Sequence, residues 1–300
     1  MERHHYYISQ KIFNTKHFIN HRKRNTMIHQ TLATSITIKG IGIHSGEIIT
    51  MTCHPSDKGI ISISNIKEKT PTLELTIENL AQTHNRATQF KNETANITTT
   101  EHFLSACAAF GITSLNIEID GDEIPILDGS AKEFCNILQS TALKPIPSKS
   151  LLPIIIKEPL TIWEDSACII ATPAESTLYS YYLSYNHPVI QSQSHTIELS
   201  TKNYITEIAA ARTYGFEKEV QYLIKQGLAK GGSLDNALVI GDNDYINEPR
   251  FKNECARHKL LDLIGDCWVL NRPILGHITG IKSGHQLNHA FTNLLAKKYL

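Results

Sequence analysis

The chain has 300 residues, 41% of them hydrophobic and 19% charged, with 29 basic and 29 acidic side chains. That length gives two domains or one large one, with material for a full core. The even charge excludes the basic surface that nucleic acid or an anionic membrane usually demands, and no apolar run reaches the roughly 18 residues of a membrane-spanning helix.

Residues 1–26 are rich in His, Lys and Arg and hold a single acid, Glu2. Two readings compete: a dispensable tail or misassigned start before Met27, or an organelle-targeting peptide. The second is weakened by the scarcity of serine. From Met27 onward, short β-branched runs alternate with turns: TSITIKG, GEIITMTCHP, GIISISN and TLELTI. Asn92 and Asn96 match the glycosylation sequon by chance in a chain expected to stay in the cytoplasm. Thr98 with Glu101 fits a capping box ahead of the helix HFLSACAAFG. SLNIEIDG reads as a strand and SAKEFCNILQSTAL as a second helix. KPIPSKSLLP, with Pro145, Pro147 and Pro153, is the expected linker.

The pattern then restarts. PIIIKEPLTIW, ACIIATPA and TLYSYYLSYN read as strands, and FEKEVQYLIKQGL as a helix. NALVIG and DYIN look like short strands, and NECARHKLLDLIGDCW is the strongest helix. ILGHITGIKSG is a strand, and HQLNHAFTNLLAKKYL closes the chain as a helix. The expectation is an α+β fold of two similar domains packed together, residues 27–147 and 148–300, with the active site at their interface. Cys53, Cys107, Cys135, Cys168, Cys255 and Cys267 form no CxxC pair, which predicts free thiols in a reducing compartment.

The strongest helix carries a polar stripe. With His258 at zero, a step of about 100° puts Asp262 near about 40°, Asp266 near about 80° and Lys259 near about 100°. Its leucines, Ile264, Cys267 and Trp268 fill the opposite arc. The angles alone fit an ordinary wet face. A histidine and a carboxylate one turn apart also fit one ion, because zinc takes imidazole nitrogen and carboxylate oxygen. The third ligand must then come from elsewhere, and Glu101-His102 at a helix start is the obvious source: His102 for the metal, Glu101 as base. His285 and His289 form a rival pair four apart. A histidine after Gly284 suits acid–base work better, with Asp266 to orient it, and His289 reads as structural. Thr213 could donate to an oxyanion beside the ion. Gly40 to Gly46 breaks the GxGxxG spacing and reads as a glycine-rich hairpin. Glu123 to Ser130 reads as a strand-ending turn and helix cap.

Seven stretches together resemble one family, the zinc-dependent UDP-3-O-acyl-N-acetylglucosamine deacetylases of lipid A synthesis. They are GIGIHSGE, TTTEHFLSACAAFGI, EIPILDGSAKEF, AARTYGF, GLAKGGSLDNALV, RHKLLDLIGD and KSGHQLN, in the family's order from about Thr31 to Ala296. The resemblance implies one Zn2+ per chain on His102, His258 and Asp262. It implies Glu101 as general base, His285 as general acid, Asp266 as the support of His285, Thr213 as oxyanion donor and Lys259 near the reacting substrate. It also implies a βαβ insertion, about residues 214–240, lining a passage for a fatty acyl chain. Tyr214, Phe216, Leu223, Gly231, Ser233 and Ala237 are the candidate substrate contacts. Tyr214 departs from the family, in which many members carry phenylalanine there. The implied partner is a small UDP-sugar bearing an acyl chain, bound by a cytoplasmic monomer without membrane insertion. A zinc amidase on another acylated amino sugar, and a non-enzymatic binding module with structural histidines, are the rival readings.

Overall fold

The computed structural model describes residues 27–81, 87–225, 227 and 229–300; the expected N-terminal extension lies outside them. The first half runs β1 (Met27–Leu32), β2 (Ile36–Ile41), β3 (Ile48–Pro55), β4 (Ile61–Asn65), β5 (Leu73–Glu74), β6 (Phe90–Lys91), β7 (Asn96–Ile97), α1 (Glu101–Phe110), β8 (Leu115–Ile119) and α2 (Lys132–Gln139). The second runs β9 (Leu143–Leu151), β10 (Ile154–Ile155), β11 (Leu160–Glu164), β12 (Ala167–Thr172), β13 (Thr177–Ser184), β14 (Ser192–Glu198), α3 (Thr201–Glu207), β15 (Tyr214–Phe216), α4 (Glu217–Lys225), β16 (Leu238–Ile240), α5 (Glu254–Trp268), β17 (Ile274–Ile281) and α6 (His285–Tyr299).

The strands follow the period-two pattern of half-buried sheets. Ile49, Met51 and Cys53 of β3 face inward, as do Leu115, Ile117 and Ile119 of β8. One sheet has the order β2-β3-β8-β4-β5, and a second β11-β12-β17-β13-β14. The central strands behave alike. β8 is antiparallel to β3 and parallel to β4; β17 is antiparallel to β12 and parallel to β13. Each central strand lies between two helices in sequence, α1 and α2 or α5 and α6. The fold is therefore α+β, with the same sheet plan built twice.

Four local expectations need correction. Lys144 to Leu151 of the expected linker are extended in β9, which pairs antiparallel with β1. A two-stranded ribbon tolerates Pro145 and Pro147 because its outer edge needs no donor. The expected boundary between 147 and 148 thus falls inside a strand. The capping box does not form: the N-cap is Thr100, with no side-chain cap bond. DYIN contributes one isolated bridge, Ile240 with Tyr245, not a strand. β14 and α3 are elements that the sequence pattern does not predict. The polar stripe of α5, which its angles alone would fit to a wet face, is dry, as a site at the interface requires, with His258 4%, Asp262 2% and Asp266 0% exposed.

That stripe is dry because α1 packs across α5. Gly265 makes the contact possible: a Cβ there would lie 2.1 Å from the Glu101 carbonyl oxygen. α1 is buried from Glu101 to Ala109 and carries Ser105, Ala106, Ala108 and Ala109, whose small side chains permit close approach. It stops at Gly111, left-handed at φ 68°, which donates to the Ala108 carbonyl. Phe103 and Leu104 are buried in the core, each contributing about 1.5–3 kcal/mol by burial.

Candidate metal centre and acid–base pair

The α1–α5 contact brings His102 to His258 and Asp262. Their ligand atoms all lie within 4.8 Å of one another, and all three residues are buried. His258 Nε2 is 3.4 Å and His102 Nε2 3.8 Å from Asp262 Oδ1. The His258 Nδ1–H donates to the Ala211 carbonyl at 3.2 Å. That bond leaves the Nε2 lone pair facing the carboxylate, as a ligating imidazole requires. Asp262 Oδ1 is buried with no hydrogen-bond partner, while Oδ2 accepts from Lys259 Nζ at 2.7 Å. An orphaned carboxylate oxygen between two imidazole nitrogens fits a cation.

The electrostatics agree with that fit. Burial and the neighbouring His258 bring His102 down to about 3, so it is a neutral imidazole near pH 7, the form that can hold a metal. Burial likewise lowers His258. Burial alone would raise Asp262, but His258, Lys259, His285 and His102 hold it well below the usual carboxylate range. Burial would lower Lys259, yet Asp262 and Tyr181 push it above the ordinary ammonium range.

Beside this trio stand Glu101 and His285, with Oε1 and Nε2 3.8 Å apart. Burial pushes Glu101 up to about 7 against the pull of His285. Its Oε2 accepts from the Thr88 N–H at 3.0 Å, so the carboxylate reaches out of its helix and does not cap it. His285 is the first residue of α6 after Gly284, with its side chain 10% exposed. Burial would lower its pKa, but the Asp266 charge and hydrogen bond, then Asp262 and Glu101, raise it to about 9. Its Nδ1–H donates to Asp266 Oδ2 at 2.8 Å. The pair therefore offers a carboxylate that can take a proton and an imidazolium that can give one.

A second cluster, Asp266, His285 and His289, also has metal-ligand spacing. Its atoms are already committed to hydrogen bonds. Asp266 Oδ2 accepts from His285 and from Asn288 Nδ2 at 2.8 Å, and Thr88 lies between Asp266 and His289. This cluster holds His285 in place.

Thr213 precedes β15. Its N–H donates to the Gly129 carbonyl at 2.7 Å, and the buried pair of Arg212 with Glu254 (2.9 Å) fastens that loop to the start of α5. Thr213 and Tyr214 line two cavities that share Glu101 and His102 as walls. One, of about 520 Å³, is polar and is lined also by Lys259, Lys282, His285, Tyr185 and Phe216. The other, of about 390 Å³, is lined by Ile126, Val220, Leu234, Ala237, Val239 and Ile246, with Ser233 at its wall. β15 and β16 pair in parallel on either side of α4 and wall the apolar cavity.

Of the candidates named from the sequence, the structure gathers His102, His258, Asp262, Glu101, His285, Asp266, Thr213 and Lys259 into one centre. Tyr214 stands where the cavities meet, its hydroxyl 3.2 Å from that of Tyr185. Ser233 and Ala237 line the apolar cavity, while Phe216 lines the polar one. Gly231 packs behind the wall, where a Cβ would lie 2.2 Å from the Gly42 carbonyl oxygen. The side chain of Leu223 lies outside the described residues. Thr88 and Asn288 were not foreseen. Thr88 is 178 residues from the carboxylate it meets, and its local sequence gives no signal.

Comparison with known proteins places the chain in a family. A family model described as UDP-3-O-acyl N-acetylglycosamine deacetylase matches residues 29–297. A protein of that activity from Campylobacter hominis is 39% identical over 268 residues, covering 89% of this chain and 90% of its own length. One from Syntrophotalea carbinolica is 39% identical over 268 residues, covering 88% of this chain and 86% of its own. One from Leptospira biflexa serovar Patoc is 37% identical over 267 residues, covering 88% of each. The chain belongs to the UDP-3-O-acyl N-acetylglycosamine deacetylase family.

Proposed function

We propose that this chain removes the N-acetyl group from UDP-3-O-acyl-N-acetylglucosamine, a step of lipid A synthesis, and holds one zinc ion on His102, His258 and Asp262 to do so. The reading rests on one observation above all: the orphaned Asp262 Oδ1 between two imidazole nitrogens, with Glu101 and His285 at its side. Two imidazoles and a carboxylate are a donor set of catalytic zinc. When bound, zinc supplies a Lewis acid that brings the pKa of water toward about 7.

The chain's own groups do the rest. Glu101 Oε1 takes a proton from the attacking water. His285 Nε2 gives one to the departing amine, since an amide anion is a very poor leaving group. Asp266 holds His285 by Nδ1 and keeps Nε2 turned toward the reaction. The Thr213 hydroxyl donates to the carbonyl oxygen as it gains charge. Lys259 neutralises the outer oxygen of Asp262 and faces the polar cavity. Water and amide become acetic acid and amine, the proton on Glu101 returns to His285 to reset the pair, and the acid ionises to acetate with its proton passing to the amine or to solvent, so the proton count closes.

The two cavities divide the substrate. The polar one suits the nucleotide and sugar, and the apolar one the acyl chain. On this reading the two halves of the chain are two domains that meet at β9, and 214–240 form the acyl passage with Ser233 and Ala237 in its wall. Tyr214 and Phe216 would then contact the sugar side. A monomer suffices, because every group named belongs to one chain. Among the described residues no helix is long and apolar enough to cross a membrane, and six buried, unpaired cysteines favour a reducing compartment such as the cytoplasm. The deciding experiment is zinc content of the purified protein with acetate release from UDP-N-acetylglucosamine, with and without the 3-O-acyl group. One zinc per chain and release only with the acyl group support the reading. Release without acyl preference moves the substrate to another amino sugar. No zinc and no acetate overturn it.

A further inference from the structure

We propose that Thr88 is a positioning residue that ties the general base to the support of the general acid. The inference rests on the acid–base roles proposed above. Thr88 is fully buried just before β6. Its backbone is pinned to the start of α1 from both sides. The N–H donates to Glu101 Oε2 at 3.0 Å, and the carbonyl accepts from the Thr100 N–H at 3.3 Å and hydroxyl at 3.2 Å. Its side chain reaches the other way. The hydroxyl donates to Asp266 Oδ1 and lies 2.9 Å from His289 Nε2 and 3.3 Å from His285 Nδ1.

A hydroxyl has one proton to give. Once that proton goes to Asp266, the oxygen must accept from His289, which fixes His289 as the Nε2–H tautomer. A directed chain results, from His289 Nε2–H to the Thr88 oxygen and from the Thr88 O–H to Asp266 Oδ1. Asp266 Oδ2 meanwhile takes the His285 Nδ1–H and the Asn288 amide. Both carboxylate oxygens are thus held, and the plane of Asp266 sets the direction of His285 Nε2. The same threonine that turns Glu101 Oε1 toward the reaction therefore also holds the group that aims the acid. The 3.8 Å between Glu101 Oε1 and His285 Nε2 is spanned through one rigid residue. His289, which the sequence suggested was merely structural, becomes the far anchor of this chain.

Thr88→Val tests the tie, because it keeps the shape and the N–H to Glu101 and removes only the hydroxyl. The expected result is a fall in kcat of roughly 10- to 100-fold, the scale of a lost hydrogen bond to a charged group. KM and metal content should stay unchanged, and Thr88→Ser should restore kcat. In an Asp266→Asn background the same valine should cost less than about twofold, since partners in one network are not additive. If the valine variant does not fold, Thr88→Ala is read the same way. An equal loss in both backgrounds, a loss carried by KM or metal, or no rescue by serine overturns the proposal. Histidine 15N NMR judges it apart from turnover: His289 must be the Nε2–H tautomer in the unsubstituted protein and lose that preference in Thr88→Val. Absence of acetate release by the unsubstituted protein defeats the functional reading instead, and the tautomer then decides whether the tie exists.

Discussion

Gly265→Ala is a one-carbon change that should disable the centre while leaving the fold standing. A Cβ at this position would lie 2.1 Å from the Glu101 oxygen, 2.9 Å from its carbonyl carbon and 3.1 Å from its Cα. All three are backbone atoms, so no side chain can swing aside. Relief to an acceptable contact of about 3.0 Å needs α1 and α5 to part by about 1 Å. Alanine gains about 1 kcal/mol over glycine within a helix, and overpacking costs about 1–3 kcal/mol. The net destabilisation is therefore at most about 2 kcal/mol, which most domains survive. The site is less forgiving. His102 rides on α1 and His258 and Asp262 on α5, so the same parting opens the metal trio, which tolerates about 0.2 Å. A displacement of about 1 Å costs about a hundredfold in rate. The assay compares kcat/KM, zinc per chain and Tm of the two proteins. A folded Gly265→Ala protein with normal zinc and turnover would refute the argument that this contact sets the site.

The remaining predictions use the same centre. Glu101→Gln and His285→Gln should each lower kcat at least about a hundredfold with zinc retained, and near-normal turnover in either defeats its assignment. The pH profile of kcat/KM should be a bell. Glu101, raised by burial to about 7, must lose its proton to act, so activity rises through that region; His285, held up at about 9 by Asp266, must keep its proton, so activity falls above it. A profile still rising beyond pH 10 would contradict the acid role. Ala237→Trp should fill the apolar cavity, raising KM for acylated substrate while zinc content holds; equal loss of both would mean the centre itself was disturbed. Chelation should lower Tm, because an ion held by both α1 and α5 stabilises only the folded chain, and an unchanged Tm would place the metal elsewhere.

Much of this was legible because the informative pattern was local. The four-residue spacing of His258 and Asp262, the alternation of β3, β8 and β17, and the restart of the strand pattern after residue 150 can be read without knowing any long-range contact. What was hidden depends on such contacts. Glu101 and Thr98 have capping-box spacing, yet the carboxylate is claimed by the N–H of Thr88 from another segment. β14 reads SQSHTIE and buries only Ile197 fully, so its alternation carries little hydrophobic signal. α3 has seven residues and buries only Tyr204, too little for a helical period. The angles of α5 described a wet face correctly in geometry and wrongly in environment, because nothing within a helix says that another will cover it.

The doubled sheet plan explains why the centre lies where it does. α1 in the first half and α5 in the second hold the same place, each leading into the central strand of its sheet. Packing these two helices together joins the halves, and the joint would ordinarily be apolar. Here it buries Glu101, His102, His258, Asp262 and Asp266. Buried charges cost stability unless they are paired and hydrogen-bonded. Asp266 is fully satisfied by Thr88, His285 and Asn288, and Glu101 is held by Thr88. Asp262 keeps one oxygen unmatched. Buried His102 Nδ1 and Asn288 Oδ1 also lack partners, but it is the carboxylate oxygen, lying between two imidazole nitrogens, that fits a cation. The second half adds what the first lacks. α6 opens with His285, whereas α2, its counterpart, opens with Lys132. The repeated plan supplies the joint, and the chemistry comes from the residues in which the two copies differ.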